Sequence, residues 1–277
     1  MKRYLKLVNL EVSRVAKVLL GGLAAVFIIQ MIGVWITANQ YMKNANEVIM
    51  GGASAQSILD GNYYMSMLSF SNTIYLSGPV ALCAGAVFFY IFLIWYRDWN
   101  GKNTFIYRLL MLPTARLSVY FSKATALMIL IFTMVAAQIA FLKIESSFMD
   151  LLVPTEYIME TTVPQIANHD FILRYVIPST FTEFILYYGG GFIILTVLFS
   201  AILMERSFKW KGLLLGLLYI AAAVLLSLSP ILVLVVLDYA DYFYESELLY
   251  MFIASSVITG ALSVWVSHYL LNKKVTV

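Results

Sequence analysis

The chain has 277 residues, 62% of them hydrophobic and only 12% charged, with a net charge of +3. A soluble domain carries about 25% charged residues, so this composition excludes an ordinary soluble domain and points to an integral membrane protein. One cysteine, Cys83, leaves no intrachain disulfide and no cysteine metal site to build.

Residues 1–14 read as an amphipathic helix. At about 100° per residue, Met1, Tyr4, Leu5, Val8, Val12 and Val15 fall on one face, with Lys2, Arg3, Lys6, Arg14 and Lys17 opposite. That pattern fits a helix lying in the membrane interface; basic residues that simply anchor the first span on the positive side would look similar. The apolar run that follows is too long for a signal-peptide core, and no small-x-small cleavage site closes it. It is read as a retained helix.

Six windows are long and apolar enough to span, given a requirement of roughly 20 residues. They are Val15–Ala38, Tyr75–Tyr96, Ala124–Leu142, Phe184–Met204, Leu213–Leu237 and Leu248–Leu271. None alternates in the way a membrane β-barrel strand does. The expected fold is therefore all-α and integral to the membrane. It forms a single transmembrane domain over 1–277, with six helices, an interfacial helix at 1–14 and both termini in the cytoplasm. Cys83 reads as a small packing residue in the second span.

Charge sets the orientation. With both termini inside, the inner segments hold 15 of the 18 Lys and Arg and only three acids, Glu11, Asp98 and Glu205. The outer segments hold Lys43, Lys143 and Arg174 against twelve acids. Positive residues stay on the cytoplasmic side, so topology accounts for the basic surface and no nucleic acid partner is implied. Tyrosine and tryptophan cluster at the window edges, as membrane-interface belts do.

The outer segment 39–74 carries the turn signals Gly51-Gly52 and Asp60-Gly61. The outer segment 143–183 carries Pro154, Pro164 and Pro178 and reads as short helices packed on the outer face. Within the fourth window, Gly189, Gly190 and Gly191 permit close backbone approach. In the fifth, Pro230 follows Ser227-Leu228-Ser229 and marks a kink. Both features read as helix packing or bending, or as a gate.

The motifs of an enzyme are missing. No strong acid or base lies mid-window, whereas ion-coupled transporters and intramembrane catalysts bury such groups. Gly101, Lys102 and Asn103 fail the phosphate-loop pattern, which needs an upstream glycine and a final serine or threonine. No cofactor is expected on this chain.

The inner loop 97–123 is the most specific segment. Phe105, Leu109 and Leu112 share a helical face, Arg108 rims it, and Pro113 ends the helix because its ring cannot continue the ladder. Thr114 is placed to cap the next helix. The face reads as an exposed apolar patch of the kind that marks docking, or as a short helix resting on lipid headgroups.

The stretch YRLLMLPTARLSVYFSK, Tyr107–Lys123, resembles the membrane subunits of type 2 ABC exporters. These carry a short helix ending in Leu-Pro, then a small residue and arginine, and a lysine opening the third span: here Leu112, Pro113, Ala115, Arg116 and Lys123. Six spans, internal termini and a leading interfacial helix also match. The resemblance implies that 97–123 is the coupling loop, with Phe105, Arg108, Leu109, Leu112, Pro113 and Arg116 engaging a separate ATPase. ATP and Mg²⁺ would be bound by that partner, present in two copies, beside a second permease, identical or homologous, and membrane lipid. It implies a multi-pass location in the cell membrane, the cytoplasmic membrane of a bacterium, and export of a hydrophobic or amphipathic cargo such as an antimicrobial peptide. A non-transporting sensor or immunity scaffold that binds peptide at the outer loops, or a channel, is the alternative.

Overall fold

Among the described residues, six helices are long and apolar enough to cross a membrane, and every other regular element is a short helix or turn. The computed structural model describes residues 2–51, 64–99, 105–111, 115–208, 210–237, 239 and 242–274. In chain order the helices are α1 (Lys2–Met50), α2 (Met67–Ser71), α3 (Ile74–Trp99), α4 (Phe105–Leu110), α5 (Arg116–Leu152), α6 (Val163–His169), α7 (Phe171–Val176), α8 (Phe181–Phe208), α9 (Trp210–Val236) and α10 (Glu245–Lys273). The six long ones are α1, α3, α5, α8, α9 and α10.

Two boundaries differ from expectation. The helix expected at 1–14 is the first part of α1, which runs unbroken to Met50. α5 extends over Arg116–Leu152, well past the window Ala124–Leu142. Hydropathy falls where charged residues begin, but Lys, Glu and Gln are good helix formers, so the helices continue. The extension places two fully buried ionisable residues in α5, Lys123 and Glu145, one on either side of the expected window.

The chain divides into two compact units. One comprises Met1–Val12, Phe88–Met128 and Ile185–Val277. Its core gathers Ile94, Trp95, Ile106, Leu110, Tyr120, Leu127, Phe199, Ile202 and Leu270. Phe199 meets Trp95 edge-on at 5.3 Å and Tyr120 at 5.5 Å, a preferred aromatic geometry. A line of hydroxyls holds α8, α9 and α10 together. Ser200 Oγ donates to Ser263 O at 2.8 Å, Tyr219 Oη lies 2.7 Å from Ser263 Oγ, and Ser255 Oγ donates to Ser227 O at 2.6 Å. In hydrocarbon, where greasy surfaces gain little from meeting, such hydrogen bonds and close packing carry helix association.

α9 passes through Pro230 without interruption. Proline lacks the N–H that would bond the carbonyl of Leu226, and Ser229 Oγ donates to that carbonyl at 2.8 Å instead. The three consecutive glycines are not a packing point within this chain: a Cβ on Gly189, Gly190 or Gly191 would meet nothing within 4 Å.

The other unit comprises Ser13–Val87 and Ile129–Phe184. Its core includes Val34, Ala38, Met65, Phe70, Leu76, Leu142, Met149, Ile166 and Leu173. Met65 N donates to Tyr157 O at 2.8 Å and Met159 N to Met65 O at 2.9 Å, a single parallel bridge between two connecting segments. Within 143–183, Asp170 caps α7 by accepting from Ile172 N at 2.9 Å and Leu173 N at 2.7 Å. Gln165 Oε1 accepts from Thr162 N at 2.8 Å at the start of α6. Each bond satisfies a donor that a helix start leaves open.

The close approach in this unit is at Gly33. A Cβ there would collide with Tyr75 Cβ and lie 3.1 Å from Phe70 Cε2. Gly33→Ala should cost about 1–3 kcal/mol by overpacking and lower the unfolding temperature of the purified protein. Gly189→Ala should be neutral or stabilising, because alanine favours a helix by about 1 kcal/mol over glycine. Equal thermal stability of the two variants would contradict this packing.

Candidate functional site

The first turns of α1, the last turns of α3 and the start of α5 converge on one buried charge. Lys123 is fully buried, 0% exposed. Its ammonium donates to Glu11 Oε1 at 2.8 Å, to Ile94 O at 2.8 Å and to Asp98 Oδ2. An ammonium has three donors, and all three are used. Arg97 Nη2 lies 2.6 Å from Glu11 Oε2, which balances the four charges. Lys123 Nζ also stands 5.3 Å from the Trp95 ring centroid. Asp98 lies near the C-terminus of α3, where a negative charge opposes the helix dipole; Lys123 and Arg97 offset it there.

The N-terminal turns are docked rather than loose. Tyr4 Oη lies 2.6 Å from Thr125 Oγ1 and donates to Phe121 O at 3.2 Å. The buried residues of this segment are Leu7, Val8 and Glu11, while Leu5 is 59% exposed. The expected face through Leu5 and Val12 is therefore displaced toward Leu7 and Glu11. Glu11 moves inward because Lys123 supplies its counter-charge, and apolar periodicity does not register that.

α4 sits on this platform. Ile106 and Leu110 enter the main core of their unit. Leu109 is only 5% exposed and packs with Leu7 and Val119. This corrects the expected exposed docking face at Leu109: the apolar side is covered by α1 and α5 of the same chain. Among the side chains described in this segment, the exposed apolar one is Met111, 73% exposed. Arg116 Nη1 donates to Leu271 O at 2.6 Å, in the last turn of α10, where a cation suits the free carbonyls. Phe105 and Arg108 lie within the span of α4, their side chains outside the described set. Leu112, Pro113 and Thr114 lie outside the described residues.

A second tie joins α3 to α8. Tyr96 Oη donates to Glu205 Oε2, and the Arg206 guanidinium stands 4.4 Å from the Tyr96 ring and 5.9 Å from that of Trp99, within cation–π range. Thus Glu11, Asp98 and Glu205, the three acids of the otherwise basic segments, all hold buried or aromatic-backed contacts between helices. Sequence reasoning missed the cluster. Its one signal was the rarity of those three acids.

Comparison of the chain with protein-family models, curated proteins and solved structures returns no match.

The cluster has a measurable consequence. Lys123→Met strips two buried carboxylates of their ammonium, and losing one partner of a buried pair costs about 3–5 kcal/mol. Neutralising both acids in the same background, Glu11→Gln with Asp98→Asn, should recover part of that loss. Denaturant or thermal unfolding of the purified variants reads it. No stability loss in Lys123→Met would refute the buried pairing.

Proposed function

We propose that the chain is the permease half of an ATP-driven type 2 exporter, with ATP hydrolysed by a separate ATPase chain and a second permease completing the path. Its cargo is hydrophobic or amphipathic, an antimicrobial peptide being the leading class. The observation that carries the reading is the anchoring of α4. A helix that receives force from another protein must be backed by the elements it is to move. Ile106, Leu109 and Leu110 turn inward, Leu109 bears on Leu7 of α1 and Val119 of α5, and Lys123 ties α1, α3 and α5 to one another. Arg116 extends the connection to the end of α10. Six long apolar helices and the basic bias of the same chain ends agree with a permease oriented with this platform in the cytoplasm.

The anchoring also changes which residues meet the ATPase. Leu109 works as backing, and the contact belongs to the outward side near Met111. Affinity purification of the full chain from its native membrane, in mild detergent with ATP and Mg²⁺, should retain a P-loop ATPase. Met111→Asp should leave thermal stability unchanged and weaken that retention at least about tenfold, roughly 1.4 kcal/mol. Leu109→Asp should fail earlier, by losing the fold of the loop. Recovery of a peptide-binding chain without any ATPase would favour the immunity-scaffold reading. Full ATPase retention and coupled turnover in Met111→Asp would refute the contact.

A further inference from the structure

In the unit built from Ser13–Val87 and Ile129–Phe184, α1 and α5 run side by side. Phe27 and Phe141 bring their ring centroids to 4.9 Å, and Gln30 Nε2 donates to Gln138 Oε1 at 3.2 Å. This register sets Glu145 level with residues 31–37 of α1. Within α5, Leu142 and Met149 stand three residues before it and four after, on the same helical face, and both belong to the core of this unit. Glu145 lies beyond the apolar window that ends at Leu142, and it is 0% exposed. Neither of its carboxyl oxygens has a hydrogen-bond partner. Lys123, buried in the same helix, has three acceptors.

No cation answers Glu145 among the described residues. The charged and ionisable side chains of the elements that build this core are exposed: Lys43 and Glu47 of α1, Lys143 and Asp150 of α5, His169 of α6 and Arg174 of α7, and Glu156 and Glu160 between α5 and α6. Asp170 is buried, but it is an acid and accepts from Ile172 N and Leu173 N. The partly buried phenols packed on this core, Tyr41, Tyr75 and Tyr157, carry no positive charge in any state, nor does the thiol of Cys83 on α3. Gln138 has a spare donor at Nε2, but it stands two turns earlier on the helix, about 10 Å away along the axis. A metal ion would need several oxygens, and no group of three acids, histidines or cysteines is assembled among the described residues. A bare carboxylate in such surroundings is strongly disfavoured, whereas the neutral acid is tolerated. The ligand that fits one isolated carboxylate is a proton.

We propose that Glu145 is a proton-binding site that couples closure of this α1–α5 seam to pH. While the seam is closed, the carboxyl keeps its proton; when the seam parts and water reaches the group, the proton leaves to solvent. The closed seam thus binds the proton more tightly than the parted one, so closure is favoured at low pH and weakened as pH rises. The site is separate from the α4 platform and does not depend on an ATPase partner. Hydrogen exchange read by mass spectrometry tests it on the full chain in detergent, at about pH 6 and about pH 9, with exchange times scaled for the intrinsic pH dependence of amide exchange. Peptides covering 27–41 and 138–152 should lose protection severalfold at the higher pH in the wild type, while peptides covering 255–267 stay unchanged and report an intact fold. Glu145→Gln keeps the shape of the protonated acid and should hold the protection at both pH values. Should that variant fail to accumulate, Glu145→Leu gives the same contrast. Protection of the wild-type seam that does not change with pH, the same loss in the variants, or a loss spread evenly over the chain would overturn the proposal. So would recovery of protection at high pH when N-methylglucamine is replaced by sodium or potassium, which would mean that a metal cation occupies the carboxylate.

Discussion

A single buried ammonium governs how the basic end of this protein is assembled. Lys123 is fully buried, so its three donors must find acceptors in the protein, and these come from α1 and α3 while the lysine itself belongs to α5. Three chain segments far apart in sequence are thereby fixed in one register. A buried ion pair contributes little net stability compared with an apolar packing of the same volume. What it supplies is discrimination: any register that leaves one carboxylate unmatched is strongly disfavoured. The burial of Leu7 and the seating of Leu109 on it follow from that register.

The helices α8, α9 and α10 obey a different rule. Their association rests on short hydroxyl side chains and small residues. Ser200, Ser263 and Ser267 meet where α8 and α10 cross, and Gly212 and Gly216 of α9 stand against the backbone of Met204, Glu205 and Ala201. Where glycines occur without a facing backbone, at 189 and 190, a Cβ would meet only open space, and both line a groove between α8, α9 and α10. One residue type thus closes the bundle at one level and opens it at another, and the neighbours decide which.

Much of the fold was legible from hydropathy alone. The six apolar windows map onto α1, α3, α5, α8, α9 and α10. Their ends were not legible, because a charge ends a hydropathy window without ending a helix; α1 reaches Met50 and α5 reaches Leu152. The short helix at Phe105–Leu110 followed from periodicity, but the side read as exposed at Leu109 turns inward. What periodicity could not say is which partner covers the face, and Leu7 of the same chain covers Leu109. The ion cluster escaped because Glu11, Asp98 and Lys123 are spread across three segments, and each reads singly as a solvated interfacial charge. Their pairing is a tertiary fact.

The central claim is that Lys123 holds the N-terminal turns and α4 as one body. Hydrogen exchange read by mass spectrometry on the full chain in detergent, in wild type and Lys123→Met, tests it most directly. The account predicts that peptides covering 2–12 and 105–111 lose protection together in the variant, while peptides from the hydroxyl seam at 255–267 keep theirs. Undiminished protection of residues 2–12 in Lys123→Met would contradict it.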